Sequence, residues 1–239
     1  MKRSEINAAI HEASAFFKSK GFPLPAYAYW SPADWLSNQN PNEMAEVFDL
    51  GLGWDVTDFG SNNLSRIGRT LFTLRNGRGT PEYPKTYAQK VMHMPEGQKS
   101  IVHHHRSKME DLFNQGGGNI LIAFWLVAGD GSPSSGRLEL SVSGCKSQVT
   151  VGTPVRLTPG NWVCIPPNTY HQFWAEEGHG PVLGMEISST CYDYSDNFFW
   201  PEGVRFPPIE EDTPAQYILC HEVRALTKRP SNQSSQPTA

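Results

Sequence analysis

Three consecutive histidines, a lysine and a carboxylate crowd one short stretch of this chain, His103-His104-His105-Arg106-Ser107-Lys108-Met109-Glu110. In an extended strand successive side chains point to opposite faces, so His103 and His105 project together and His104 points away, as a packing residue. Two imidazoles on one face suit a divalent metal, with Glu110 far enough along for the backbone to bend and return its carboxylate. A second stretch turns at Pro159-Gly160, runs through a short apolar strand and turns again at Pro166-Pro167-Asn168, before His171 opens another strand. That route delivers His171 as a fourth protein ligand. Three histidines and one glutamate can hold Mn²⁺, Fe²⁺, Co²⁺, Ni²⁺ or Zn²⁺, and ligand type alone does not choose among them.

Such a site can polarise an oxygen-bearing substrate and, if acid–base groups stand beside it, move protons on it. Lys108 shares strand parity with Glu110, and positive charge at the metal is expected to lower its pKa, making it a base or an oxygen protonator. Glu110 itself counts as a catalytic candidate, because a carboxylate ligand can loosen. Glu186, in Gly184-Met185-Glu186-Ile187-Ser188, alternates with apolar neighbours on a strand expected beside the second stretch. For the substrate, Lys90 lies mid-strand, Asp193 and Asp196 lie in a polar, aromatic loop, and Arg205 follows. Phe173, Trp174 and Trp125 are aromatic candidates for packing against a substrate face, and His93 is a candidate outer partner of the ligands.

The two stretches resemble the paired signature motifs of the cupin superfamily. Gly97, five residues, His103-x-His105, four residues, Glu110, six residues and Gly117 match the first motif. Gly160, five residues, Pro166-x-Asn168, two residues and His171 match the second. Asn168 stands where glycine is usual, and asparagine is the side chain that best tolerates a left-handed turn. Ala175 replaces a common asparagine. The flanks Glu46 to Thr57, Thr70 to Gly77, Glu110-Asp111 and Phe173 to Glu176 further resemble the bacterial D-lyxose ketol-isomerases, from the N-terminus to about residue 225. The resemblance implies a cupin β-barrel that binds Mn²⁺, with Co²⁺ a possible substitute. It also implies interconversion of D-lyxose with D-xylulose, and of D-mannose with D-fructose, through an enediol. Competing readings are a cupin dioxygenase using Fe²⁺ and a non-catalytic sugar-binding cupin.

The elements that must position these residues are legible in outline. Many short strands separated by Gly, Pro, Asn and Ser turns argue for an all-β core, an antiparallel barrel of jelly-roll type. They are expected near 71–77, 85–94, 99–105, 108–113, 120–128, 137–142, 148–151, 154–157, 162–165, 171–176, 181–188 and 216–222. Ahead of them, Ile6, Ile10, Ala13, Phe16 and Phe17 form a helical stripe with Ser4 as candidate cap and Gly21 as stop. Ser31-Pro32-Ala33-Asp34 announces a second helix, and another is expected over about 42–48. The expected organisation is an N-terminal helical extension with the first strands over 1–80, the metal-bearing barrel over 81–228 and a disordered tail over 229–239. Residues 129–136 are expected to be a flexible loop.

At 239 residues, 38% hydrophobic and 18% charged, the chain has the composition of a soluble globular protein. A net charge of −4 gives no basic surface for nucleic acid. No apolar run reaches the roughly 20 residues of a spanning helix, so a membrane is not an expected partner. The four scattered cysteines and the absence of a secretory apolar core lead us to expect reduced thiols in a cytoplasmic protein. The expected partners are a monosaccharide and a second copy in a homodimer, which would cover the N-terminal helices and open strand edges.

Overall fold

The period of apolar residues switches twice along this chain, and each switch marks a layer. The computed structural model describes residues 1–38 and 43–226. Among them the helices are α1 (Arg3–Ser19), α2 (Pro32–Ser37), α3 (Ala45–Leu50) and α4 (Cys220–Leu226). The strands, in chain order, are β1 (Gly53–Thr57), β2 (Arg69–Arg75), β3 (Tyr87–Met94), β4 (Val102–His104), β5 (Glu110–Gly117), β6 (Ile120–Val127) and β7 (Pro133–Ser134). They continue as β8 (Arg137–Val142), β9 (Cys145–Thr150), β10 (Val155–Leu157), β11 (Trp162–Ile165), β12 (Thr169–Ala175), β13 (Val182–Ser189) and β14 (Phe198–Trp200).

One sheet has the order β1-β2-β3-β13-β5-β11-β8-β9, and the other runs β10-β6-β12-β4-β14 with β7 attached to β6. The two curl together as a cupin-type β-barrel. Its apolar interior is built from alternate residues of both sheets, among them Met92, Met94, Leu112, Ile122, Phe124, Leu157 and Val163. The outward residues of β1 to β3 form a second apolar layer: Trp54, Val56, Phe72 and Val91 pack against Ile6, Ile10, Ala13 and Phe17 of α1. Hydrogen bonding continues from β2 to β3, so the sheet crosses residue 80 without a break. Gly117 has φ +94°, and a Cβ there would run into the Pro181 carbonyl, so only glycine lets β5 meet β13 at that point.

Several local expectations are corrected. The α1 helix begins at Arg3, before Ser4; Glu5 Oε2 accepts the Lys2 N–H at 2.7 Å, while the Ser4 hydroxyl donates to Asp212 at 2.6 Å. The strand expected over 216–222 is absent. Glu222 Oε2 accepts the Leu219 N–H at 2.9 Å, a capping contact that starts α4 at Cys220. Within 129–136, Pro133–Ser134 pairs with Leu126 and Val127. The tail over 229–239 lies outside the described residues, as does residue 42 at the start of the helix expected over 42–48.

Candidate active site

The barrel brings its potential ligands together by register. His171 on β12 is the direct cross-strand partner of His103 on β4, and Phe199 on β14 lies on the other side of His103. His105 follows β4, and Glu110 opens β5 opposite Ile165. Ligand atoms of His103, His105, Glu110 and His171 all lie within 4.8 Å of one another. The turn that aims His171 inward has Asn168 at φ +57°, the left-handed conformation for which asparagine is suited.

Each imidazole is oriented from behind. His103 Nδ1 lies 2.9 Å from the Ile101 carbonyl and His171 Nδ1 lies 3.0 Å from the Thr169 carbonyl, while His105 Nδ1 contacts the Asp196 carbonyl. A carbonyl only accepts, so these contacts assign the proton to Nδ1 and leave a lone pair on each Nε2. Burial, and then the neighbouring His171 and His105, push His103 well below the usual histidine range; burial, and then Lys108, bring His105 down to about 4. Glu110 stays ionised: burial raises its pKa, but Lys108, His105 and His171 outweigh burial. His171 Nε2 lies 2.9 Å and His105 Nε2 3.6 Å from Glu110 Oε1. Buried lone pairs thus face a buried carboxylate, and none of these three atoms has a hydrogen-bond partner. A divalent cation resolves that convergence, so the donor set fits a metal.

A chain of ion pairs extends from this cluster. Lys108 Nζ lies 2.6 Å from Glu110 Oε2 and 2.8 Å from Glu186 Oε1. Glu186 faces inward on β13, paired across the sheet with Lys90 on β3. Lys90 Nζ donates to Cys191 Sγ at 3.0 Å and to Asp193 Oδ1 at 3.3 Å, and Arg205 Nη2 donates to the same Asp193 oxygen at 3.2 Å while contacting Asp55. Among the protein's own groups, burial lowers the Lys108 pKa, but Glu110 and Glu186 more than compensate and raise it above the ordinary lysine value, opposing the lowering expected from a metal's charge. Lys90 is likewise raised, by Asp193 above all among the groups that oppose burial. Glu186 is held below the usual carboxylate range by Lys108 and Lys90 against the effect of burial.

Lys90, Lys108, Glu186, Asp193 and Arg205 line one cavity with His103, His105 and Glu110; it encloses ≈ 590 Å³ up to and including its open mouth. Asp196, a substrate candidate from the sequence, is placed elsewhere. Its carboxylate accepts the N–H groups of Arg106, at 2.7 Å, and of Lys108, at 3.0 Å, and the Ser107 hydroxyl at 2.6 Å. It clamps the turn that carries His105 and Lys108. His93 faces α1, 4.9 Å from the Phe16 ring, and His104 packs between Tyr170 and Phe198. Phe173 borders the cavity, whereas Trp174 carries Lys99 over its ring at 4.5 Å; Trp125 does not line it.

Sequence reasoning did not single out Arg69 and Asn197, which line the cavity, or Asp55, which contacts Arg205 behind it. Asp55 had a signal: it alternates with Trp54 and Val56, both of which face α1, so its carboxylate must face the barrel. Arg69 and Asn197 had none.

A family model described as D-lyxose isomerase matches residues 1–223. The D-lyxose/D-mannose isomerase of Escherichia coli O157:H7 is 44% identical over 226 residues, covering 94% of this chain and 99% of that one. Its counterpart from Serratia proteamaculans is 42% identical over 223 residues, covering 93% and 97%. Among solved structures, the L-ribose isomerase of Geodermatophilus obscurus is similar with a TM-score of 0.58, at 16% identity over 88% of this chain and 98% of that one. The L-ribose isomerase of Cellulomonas parahominis, with L-ribose, gives 0.57 at 15% identity with the same coverage. Those likenesses are of fold. The match along nearly the whole length, on a barrel that carries a donor set fit for a metal, places the chain in the D-lyxose isomerase family of sugar isomerases.

Proposed function

We propose that this chain is a divalent-metal-dependent aldose–ketose isomerase that interconverts D-lyxose with D-xylulose, and D-mannose with D-fructose. The carrying observation is the convergence of His103, His105, Glu110 and His171 in the same cavity as the Lys108 and Glu186 pair. The relatives from Escherichia coli O157:H7 and Serratia proteamaculans, both named D-lyxose/D-mannose isomerase, support the substrate assignment. The four ligands would hold Mn²⁺, or Co²⁺ in its place. A cation there supplies Lewis acidity that polarises the sugar carbonyl and favours loss of the neighbouring proton.

The protein's own groups handle the protons. Glu186, kept ionised by two lysines, takes the hydrogen of C2 as a proton, exchanges it with solvent and delivers a proton to C1 on the same face of the enediol. Lys108, an ammonium between two carboxylates, donates a proton to O1 and recovers one from the O2 hydroxyl, so aldose and ketose differ only in where two hydrogens sit. Lys90, Asp193 and Arg205 form the polar wall that binds the remaining hydroxyls. Isomerisation of D-lyxose in D₂O tests this scheme. Deuterium at C1 of D-xylulose is the expected result. Ketose free of deuterium after many turnovers would replace the enediol by a hydride shift, and no ketose from D-lyxose or D-mannose would remove the assignment.

A further inference from the structure

Among the described residues, the buried bases Arg3, Lys90 and Lys108 each contact a carboxylate. Arg69 is different. It is 4% exposed and makes no ion pair with any described residue, and it lines the same cavity as the candidate metal ligands and Glu186. Its guanidinium lies over the Phe173 ring, 4.0 Å from the centroid, and Nη2 reaches the Phe173 carbonyl at a long 3.4 Å. Nη1 is buried with no hydrogen-bond partner. An arginine has five N–H donors in a planar fork, so one ring face and one weak acceptor leave most of that capacity unmet.

The location says what the free donors are for. Arg69 opens β2 as the cross-strand partner of Thr57, and its side chain reaches β12 in the opposite sheet. Phe173 beneath it stacks on His171, with ring centroids 6.3 Å apart. The acid–base residues Lys108 and Glu186 belong instead to the β5 entry and β13, where they pair with each other. A sugar with its reacting carbons at Glu186 and the metal ligands still has the rest of its carbon chain to place, and the fork beside Phe173 is an unmatched donor for it. Guanidinium binds adjacent hydroxyl oxygens, and it binds a carboxylate more strongly through two parallel hydrogen bonds.

We propose that Arg69 is a second anchor for the sugar, holding the oxygens remote from the carbons that exchange hydrogen, and that a sugar acid carrying a carboxylate there binds tighter than the neutral sugar. The proposal rests on the sugar-isomerase assignment above and makes Arg69 a specificity-determining residue. Burial pulls this guanidinium down to about 9, with Glu186 opposing, which fits a cation awaiting an oxygen partner.

D-mannuronate, which differs from D-mannose by a carboxylate at C6, is the probe. Its binding to Mn²⁺-loaded protein is measured by calorimetry for the parent, Arg69→Gln and Arg69→Lys, with steady-state kinetics on D-lyxose and D-mannose alongside. The parent is expected to bind D-mannuronate roughly tenfold or more tightly than D-mannose, and Arg69→Gln to lose that preference. In Arg69→Gln, KM for the neutral sugars rises about tenfold with kcat within about threefold, the signature of lost uniform binding. Arg69→Lys keeps the charge and restores part of the D-mannuronate affinity. Unchanged D-mannuronate affinity in Arg69→Gln, or a fall in kcat at constant KM, would overturn the anchor. Arg69-dependent binding without turnover of any aldose would retain the anchor and remove the isomerase assignment, and turnover with no Arg69 dependence would do the reverse.

Discussion

The two ends of the barrel are built from the same strands and differ in what those strands turn inward. Along β3 the inward residues run Lys90, Met92, Met94; along β13 they run Glu186, Gly184, Val182; along β12 they run His171, Phe173, Ala175. Each strand starts with a charged or ligating group at the open end and finishes with apolar or small ones at the other. At the closed end Ile120, Ile122, Leu157 and Val163 pack together, and the buried polar side chain beside them, the Asn114 amide, donates to the Leu157 and Gly118 carbonyls at 2.8 and 2.9 Å. At the open end, Arg69 apart, a buried set of carboxylates, lysines and imidazoles survives because each charge faces an opposite charge or the place of a cation. The closed end therefore holds the strands in register, and register places the ligands: a shift by one residue would turn His171 and Glu186 outward.

Substitutions at the two ends should therefore have effects of different kinds. The largest is expected from Glu186→Gln, which removes the proposed proton carrier while leaving the four ligands intact. It should lower kcat by about 10²- to 10⁴-fold with unchanged metal content by atomic spectroscopy. Loss of the metal along with the activity would show that Glu186 builds the site and does not act in the reaction. At the closed end Leu157→Ala should cost about 2–5 kcal/mol and lower Tm by roughly 4–15 °C, with KM for D-lyxose unchanged below the transition. A change in KM at that distance would break the separation between the two ends.

The third prediction concerns the outer face of the same sheet. Burial against α1 brings His93 down to about 4 from its ordinary 6.5. Between those values the unfolded chain binds a proton that the folded chain refuses. The stabilising contribution is thus fully present above about pH 6.5 and declines as pH falls toward 4, by about 3 kcal/mol in all. Urea denaturation of His93→Gln at pH 7.5 and pH 5 should show a smaller loss than the parent; an equal loss would place the acid sensitivity elsewhere. A smaller effect is expected from Asp196→Ala. Loosening the turn that carries His105 and Lys108 should weaken metal affinity by about 10- to 100-fold, measured by competition with a chelator. Intact affinity with raised KM would instead return Asp196 to the substrate.

How legible each part was depends on how local its cause is. Strand parity sets His103 and His105 together, and motif spacing adds Glu110 and His171; the structure gathers those four by pairing β4 with β12. Alternation put Glu186 on one face of its strand without saying which; pairing of β13 with β3 and β5 turns that face inward. The ion pair that opposes any lowering of the Lys108 pKa was not legible, because its partner Glu186 lies 78 residues away in sequence. Asp196 looked like a sugar ligand because a loop carboxylate near aromatics reads as one; that its oxygens serve the backbone of residues 106–108 is a tertiary fact. The segment 216–222 carries a short apolar run, Tyr217 to Cys220, that reads as a strand, but a local capping contact from Glu222 decides for helix. Arg69 begins a strand beside Gly68 and looks like a solvated edge, and only the opposite sheet reveals its burial.

The most direct test of the open end as a metal-dependent isomerase centre is turnover of D-lyxose by metal-stripped protein, with and without added Mn²⁺, and with Glu110→Ala assayed in parallel. The account predicts that D-xylulose forms only when Mn²⁺ is restored, and that Glu110→Ala loses at least on the order of 10³-fold in kcat/KM together with its metal. Undiminished turnover by the stripped protein, or no turnover of any aldose with Mn²⁺ bound at His103, His105, Glu110 and His171, would contradict it.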